Sequence, residues 1–490
     1  MNLKRSLYRA RKLIGRKLAG DPVKGYYEAA RPSPYHKRRG VSETADSATR
    51  GAIESLRAEA RYLEQNYDLV SGGLDVFVNA IIGRGLIPRA LVRSLDGKLH
   101  KESNVQIAAL FKDWMLKPEV TGEHTYQEVQ RLTARAWARD GEMFSQRLIG
   151  FVPSLDHLTQ VPFSIEMIEP DLFPVGFTDE KRRIVSSVQK NEWGRATNYW
   201  CHRSYIGEAM AAVARAGAVE PDKRIPATRV THLKHVTRFR QTRGVSVLAP
   251  TLDRFDSIKD GEESENVAMR VAAAMTGYVQ RGSPDMYTVP EKRQPRELSM
   301  NPGQIYELEE GESIGTIQSN RPNNHMVEYM KDQHRRAAAG MKVAFSSLSN
   351  NYEGSYSAMR QERTDKQIGY GACSRYFADH MITPDYRAFI EAAIASGAWV
   401  PPADVDLSTV LHHDIPLPAM PWIDPSKEAS AWTTLVDARL ESRQHVMSER
   451  GRDPETVWGE IKDEEEHHPA RVQDQPDPNS QTPDDAQNNR

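Results

Sequence analysis

Cysteine is almost missing from this 490-residue chain: Cys201 and Cys373 are its two cysteines, and they stand far apart. Two cysteines build neither a zinc cage nor a disulfide framework, and a reducing compartment is the natural expectation. A dominant charge is missing as well. The 65 basic and 67 acidic residues leave a net charge of −2. That balance excludes a strongly basic nucleic-acid coat as a description of the whole chain, though not local basic patches. There is no run of about 18 apolar residues, so no transmembrane helix is expected. The phosphate loop G-x-x-x-x-G-K-[ST] does not occur, and neither does G-x-G-x-x-G after a strand, H-E-x-x-H or G-x-S-x-G. No metal or cofactor site is expected. His412-His413-Asp414 sits among prolines without ligand spacing, and Cys201-His202 are strand neighbours expected to point to opposite faces.

What remains is polar: 27% charged, 39% hydrophobic, in a chain long enough for two to four domains of roughly 100–200 residues. Leu3, Leu7, Ala10, Ile14 and Leu18, with seven basic residues between them, predict an amphipathic helix over 1–18. It reads as a helix docked on its own protein, an arm for nucleic acid or a partner, or a transit peptide. Residues 19–48 read as an extended arm. Apolar spacing predicts helices over 49–82, interrupted near Asn66 and stopped by Gly83. Further helices are expected over about 102–116 and after Thr125, where Glu128 completes a capping box, ending at Asp140-Gly141. Strands follow at Met143–Phe151 and Pro162–Ile168, then a hairpin around Gly194. The first 250 residues are therefore α+β rather than a βαβ repeat.

Helix returns over 251–281 and about 325–343, separated by a turn-rich stretch with strand candidates at Gln304–Leu308 and Ile314–Ile317. A polar segment over 346–357 reads as a loop, then helix resumes to about 380, with Pro384 kinking or breaking it. Helices over 425–462 are interrupted near Gly451. From Asp463 onward the chain has almost no apolar residues and is expected to be disordered. One basic cluster is dense: His232, Lys234, His235, Arg238, Arg240 and Arg243. Arginines used this way contact phosphates or pair with acidic groups between subunits.

Five stretches in order carry a resemblance. They are Ala60-Arg61-Tyr62-Leu63-Glu64-Gln65-Asn66 continuing to Asn79 through Gly85; Ile168-Glu169-Pro170-Asp171; and His235 through Arg238, Gln241, Arg243 and Gly244. Ser355-Tyr356-Ser357 with Arg360 and Asp424-Pro425 with Lys427-Glu428 complete the series. In this order, across about 45–466, the chain resembles the lambda-type family of tailed-phage portal proteins. Ser355 stands where that family usually carries Asn.

The resemblance implies an α+β portal fold that forms a dodecameric ring at one capsid vertex. Its α/β wing would span 49–250, behind the basic helix and arm at 1–48. Stem helices would occupy 251–281 and 324–345, with a clip at 282–323 between them. A tunnel loop would follow at 346–357, a wing and tunnel helix region at 358–424, crown helices at 425–462 and a disordered tail at 463–490. The implied partners are further copies of the chain, double-stranded DNA, the terminase large subunit, the major capsid protein and scaffold, and a head-tail connector. No membrane is involved. The location would be the virion, with the host cytoplasm during assembly. No enzymatic role is implied; a packaging nuclease or a monomeric nucleic-acid-binding protein are the alternatives. Ser346, Ser347, Ser349, Asn350, Asn351, Tyr352, Ser355 and Tyr356 would face DNA in the channel. Arg238, Arg240, Arg243, Arg335, Arg336 and Lys342 would make inter-subunit or phosphate contacts. A 31-residue stem helix would be about 46 Å long. Twelve such helices about 10 Å apart enclose a lumen of about 28 Å, enough for a duplex about 20 Å wide.

Overall fold

The computed structural model describes residues 43–203, 220–273, 277–281, 312–316, 324–418, 425–450, 452 and 454–467. The expected helix at 1–18, the arm over 19–42, the strand at 304–308 and the tail from 468 lie outside the described residues.

The body begins with α1 (Ala45–Arg50), capped by the Thr44 hydroxyl, which accepts from the Ser47 N–H. The expected arm therefore gives way to helix before 48. Helices α2 (Ile53–Asn66) and α3 (Asp68–Ile82) follow, hinged at the extended Tyr67. The α3 face is apolar enough to sit at the centre: Val70, Leu74, Phe77, Val78, Ile81 and Ile82 are all buried. Each such side chain contributes about 1.5–3 kcal/mol of burial. Strand β1 (Arg89–Ala90) leads to α4 (Lys101–Trp114) and α5 (Tyr126–Asp140), the latter opened by the expected Thr125–Glu128 capping box. Trp114 of α4 stacks on Phe163 and donates its indole N–H to the Phe163 carbonyl at 2.8 Å. That bond satisfies the one polar atom of a buried tryptophan.

Two antiparallel sheets complete the first half. In one, β2 (Glu142–Ile149) lies between β3 (Phe163–Ile168) and β8 (Val230–Lys234), with Phe144 opposite Ile168 and His232. The other orders β4 (Ile184–Val185), β5 (Val188–Lys190), β6 (Ala196–Cys201) and β7 (Lys223–Pro226). Its β5–β6 hairpin turns at Gly194, as the sequence predicts. The α5–β2 corner is the tightest point. Gly141 caps α5 with φ of 86°, and a Cβ there would lie 2.2 Å from the Val245 carbonyl carbon. A Cβ on Gly244 would lie 2.0 Å from the Gly141 oxygen, so the two glycines let two backbones touch.

An antiparallel helical pair follows. Helix α6 (Leu252–Ala273) starts in the core with Leu252, Phe255 and Ile258 buried, then leaves it. It has 22 residues, about 33 Å, rather than the expected 31. The last part of the expected helix is strand β9 (Gly277–Arg281), paired with β10 (Glu312–Thr316). Gly-Tyr-Val-Gln-Arg carries two β-favouring residues, and this preference wins over continuing the helix. Helix α7 (Asn324–Met341) returns beside α6: Arg254 meets Gln333 at 2.5 Å, and Gly261 lies near Met326. It re-enters the core at Ala337, Ala338 and Met341.

The polar segment expected as a loop over 346–357 begins as a helix. Phe345–Ser349 forms the short helix α8, with Ser346 and Leu348 buried, and Asn350 ends it in the left-handed conformation. The reason is Phe345 and Leu348, which bring the turn against α3 and α7. Helix α9 (Tyr356–Phe377) then runs through one π-helical stretch, Ala378–Ile382, into α10 (Thr383–Ser396). Pro384 does not break this path. The π turn next to it takes up the backbone change. Strand β11 (His413–Asp414) pairs with β1. Helices α11 (Pro425–Asp437), α12 (Arg443–Glu449) and α13 (Pro454–His467) finish the described chain. The last continues through residues 463–467, where disorder was expected.

Candidate subunit-interface and channel site

Glu142 is the centre of the most densely bonded charge cluster. It is fully buried at the start of β2. Arg57 of α2 donates to its Oε1 at 3.0 Å, and Arg243 donates through Nε at 2.8 and 2.9 Å to the two oxygens. The Gly244 N–H adds 2.9 Å and His232 Nε2 adds 3.1 Å. Burial opposes ionisation of Glu142, yet the Arg243 charge and the His232 hydrogen bond hold its carboxyl well below the usual range. Burial pushes His232 down to about 4, so it is neutral and donates through Nε2.

The cluster extends outward. Arg57 also reaches Asp171 at 3.3 Å, and Arg61 bridges Asp171 at 2.7 Å and Asp140 at 2.9 Å. Arg139 holds Glu64 at 2.7 Å, and Arg135 reaches Glu64 and Asp75. Three of the five signature stretches thus meet in space. Arg61 comes from the first, Pro170 and Asp171 from the second, and Arg243 with Gly244 from the third. Arg243 donates to the carbonyls of Phe173 at 2.9 Å and Ser186 at 3.2 Å. Its exposure is 2%, so it reaches neither phosphate nor a neighbouring subunit, contrary to the expectation for it. No local pattern marks an arginine whose partner lies 101 residues away.

The rest of that signature is a surface loop. Gln241 and Thr242 are its buried anchors: Gln241 Nε2 donates to the Arg243 carbonyl at 2.9 Å, and the Thr242 N–H donates to Asp46 at 2.7 Å. Lys234 Nζ donates to the Gln241 carbonyl at 3.1 Å. Just before the anchors, Arg238, Phe239 and Arg240 are exposed, Arg240 with φ of 64°. Arg238 donates to the Glu43 carbonyl at 3.1 Å. Phe239 is 101% exposed, a feature that the signature's polar residues concealed. An open groove of about 880 Å³ beside the loop is lined by Lys190, Lys234, Arg238 and Arg240.

The second set of expected residues lies where α7 ends. Arg335 lies over the Phe345 ring at 5.2 Å, and Arg336 pairs with Asp332 at 2.8 Å. Lys342 has φ of 63° and donates to His235 Nε2 at 3.1 Å, while His235 Nδ1 faces the Val245 carbonyl. Burial, then the Lys342 charge, lowers the His235 pKa. Ser346 is buried and unavailable to DNA; Ser347 and Ser349 are half-buried in α8. Asn350, Tyr352 and Ser355 are exposed and Asn351 partly so. Asn351 accepts from the Glu353 N–H, and Ser355 caps α9 by accepting from Ala358. Tyr356 opens that helix. The exposed polar turn is accordingly 350–355, shorter than the expected loop.

One buried acid carries no mark in the sequence. Asp385 accepts from the Tyr126 hydroxyl at 3.2 Å and lies 3.7 Å from Arg147, and burial raises its pKa to about 7. Cys201 is buried, which pushes its thiol up to about 12, against what a nucleophile needs. His413 bonds to Leu411 and Thr383, and Asp414 pairs with Arg89. Among the described residues no cluster of three potential metal ligands occurs, and no helix is long and apolar enough to cross a membrane.

The described residues thus form an α+β body with an antiparallel helical pair, a two-stranded sheet between the two helices in chain order, and a fully exposed phenylalanine in the 238–240 loop. A family profile described as "Phage portal protein, lambda family" matches residues 32–371. The chain belongs to that family of phage portal proteins. It is 22% identical over 431 residues to a probable portal protein of Halomonas phage phiHAP-1, covering 84% of this chain and 80% of the relative. Among solved structures it is similar to a chain from the neck of a native gene transfer agent particle computed with C12 symmetry. That match has TM-score 0.46 and 11% identity, covering 82% of this chain and 94% of the other. A chain from the neck of the empty particle computed with C6 symmetry gives TM-score 0.45 and 14% identity over the same shares.

Proposed function

We propose that this chain forms a dodecameric ring at one vertex of a phage capsid. The ring is a channel for packaging and releasing double-stranded DNA. It first docks the terminase large subunit and later the head-tail connector, with capsid protein and scaffold around it. Its role is that of a conduit and platform, not an enzyme, and it ends in the virion after assembly in the host cytoplasm.

The observation that supports this best is the α6–α7 pair. Both helices are buried where they meet the body and expose apolar side chains away from it. Val267 is 56% exposed and Met269 44% on α6; Val327 is 72% and Tyr329 58% on α7. A projecting helix pair with apolar flanks is stable when neighbours cover it, and a closed ring of copies covers every flank alike. A shorter α6, about 33 Å, leaves the estimated lumen of about 28 Å unchanged, because spacing and not length sets that estimate. Residues 350–355 supply amide and hydroxyl groups able to touch phosphates without a strong hold. Sedimentation of the full chain tests the reading. Twelve copies of 55.3 kDa give about 0.66 MDa. A 55 kDa species at every micromolar concentration tried overturns it.

A further inference from the structure

We infer that the Arg238-Phe239-Arg240 loop of one subunit inserts Phe239 into an acidic-rimmed apolar groove between α5 and β3 of a second copy of this chain. The inference rests on the ring reading and gives that ring a specific joint.

The loop is built to present, not to flex. Its anchors Gln241 and Thr242 are buried and hydrogen-bonded, and the Thr237 N–H donates to Gln241 Oε1 at 3.1 Å. A ring held out in water on such a frame, with an arginine on each side, has the composition of an interface hot spot. Its charge and shape specify the receptor: an apolar slot edged by carboxylates.

The same chain carries one. A groove of about 420 Å³ has Leu132, Met143 and Met167 in its lining, with Glu119, Glu123 and Glu169 around them. Methionines adapt to an aromatic guest. Leu132 is 52% exposed although it lines this groove. Glu119 accepts from the N–H groups of Thr121, Glu123 and His124 and from the Thr121 hydroxyl. All four donors are neutral, so its negative charge stays uncancelled. The two arginines of the groove, Arg135 and Arg139, are turned to Glu64, Asp75 and Asp140. Glu169 lies 4.0 Å from Arg61, while Glu123 is exposed on the rim.

Placement agrees with chemistry. The groove is on the β3 side of the three-stranded sheet, and the loop continues from β8 on its other edge. A head-to-tail contact needs two different, complementary patches on separate flanks, which is how a rotation can close into a ring.

The test uses the full chain with a single pair of substitutions, Phe239→Cys and Leu132→Cys, and a short bismaleimide. Native Cys201 is buried and Cys373 half-buried, and each single variant serves as a control. The expected result is a ladder of covalent oligomers from the double variant and none from either single variant. Phe239→Ala should raise the concentration at which assemblies dissociate by about tenfold or more. Arg240→Glu should do the same, and Glu123→Lys added to it should restore assembly. Wild-type rings without a ladder, and with Phe239→Ala indifferent, overturn this joint and leave the ring reading standing. Rings unaffected by Arg240→Glu but with weakened DNA affinity also overturn it, in favour of phosphate contact. A wild-type chain that stays monomeric overturns both.

Discussion

Replacing Glu142 by Gln keeps its shape and removes its charge. Two guanidiniums, Arg57 at 3% and Arg243 at 2% exposure, then lose their shared carboxylate. The new amide also sets one NH2 group among donors: Arg57, Arg243, His232 and the Gly244 N–H all point at this position. Breaking a buried ion pair by neutralising one partner costs about 3–5 kcal/mol. Here Arg57 keeps Asp171, and Arg243 keeps the Phe173 and Ser186 carbonyls, so the lower end applies, about 3–4 kcal/mol. For a cooperative unit of about 150–250 residues, each kcal/mol moves the melting temperature by about 2–4 °C. The expected loss is therefore about 6–16 °C in the melting of the body, followed by near-ultraviolet circular dichroism. Glu54→Gln on the exposed side of α2 is the control and should move it by less than 2 °C, since surface changes stay within about 0.5 kcal/mol. If Glu142→Gln melts within 2 °C of the parent, the cluster is not what holds α2, β2 and the 243–244 segment together.

The contribution of His232 to stability should fall in mild acid. The His232 pKa lies below its ordinary 6.5, at about 4, so folded protein binds fewer protons than unfolded protein between those values. Its contribution is present above pH 6.5 and is lost as pH falls toward 4, about 2 kcal/mol of it between pH 7 and 5. Asp385, whose carboxyl is raised to about 7, gains stability over the same interval, so denaturant titrations read the assignment as a difference: between pH 7 and 5 the parent should lose about 2 kcal/mol relative to His232→Gln, and equal changes in the two refute it. Deleting Asn350–Gly354 removes the exposed turn and leaves α8 and its buried Ser346 and Leu348 in place. Rings should form and dock the motor, and the defect should appear late, as particles that lose DNA. Counting full and empty particles checks this, and failure before DNA entry assigns the turn a structural role.

Much of the body was legible because its cues are local. Apolar spacing located α2 through α5, the Thr125–Glu128 box marked the start of α5, and Gly194 marked the β5–β6 turn. The misreadings came where long-range packing decides. Phe345 and Leu348 fold the head of a polar segment into α8, because α3 and α7 offer them a place to bury. Pro384 reads as a kink or a break; the path does not break there, and a π-helical stretch at Ala378–Ile382 takes up the change. The charge cluster was the least legible part. Arg238, Arg240 and Arg243 look alike in the sequence, and Glu142 decides that Arg243 alone of the three goes inside. Asp385 likewise gives no sign of its burial until α10 is set against β2.

The Glu142 cluster also has a temporal side. Its members are Arg57, Glu142, Asp171, His232 and Arg243, and no subset fully satisfies the central carboxylate. During synthesis at about 5–20 residues per second, the 101 residues between Glu142 and Arg243 take about 5–20 s to appear. Throughout that interval Arg57 and Glu142 are both on the growing chain, and hydration competes with a half-built pocket for them. Charges that stay wet keep the unfinished body soluble and delay its closure. The arrival of Arg243 and Gly244 then completes the carboxylate's partners and seats the strand end against Gly141 in one event. The flanking loop, with Phe239 at its tip, is fixed in position by that same event. The position of this exposed aromatic is thus fixed by the same bonds that complete the buried carboxylate's partners.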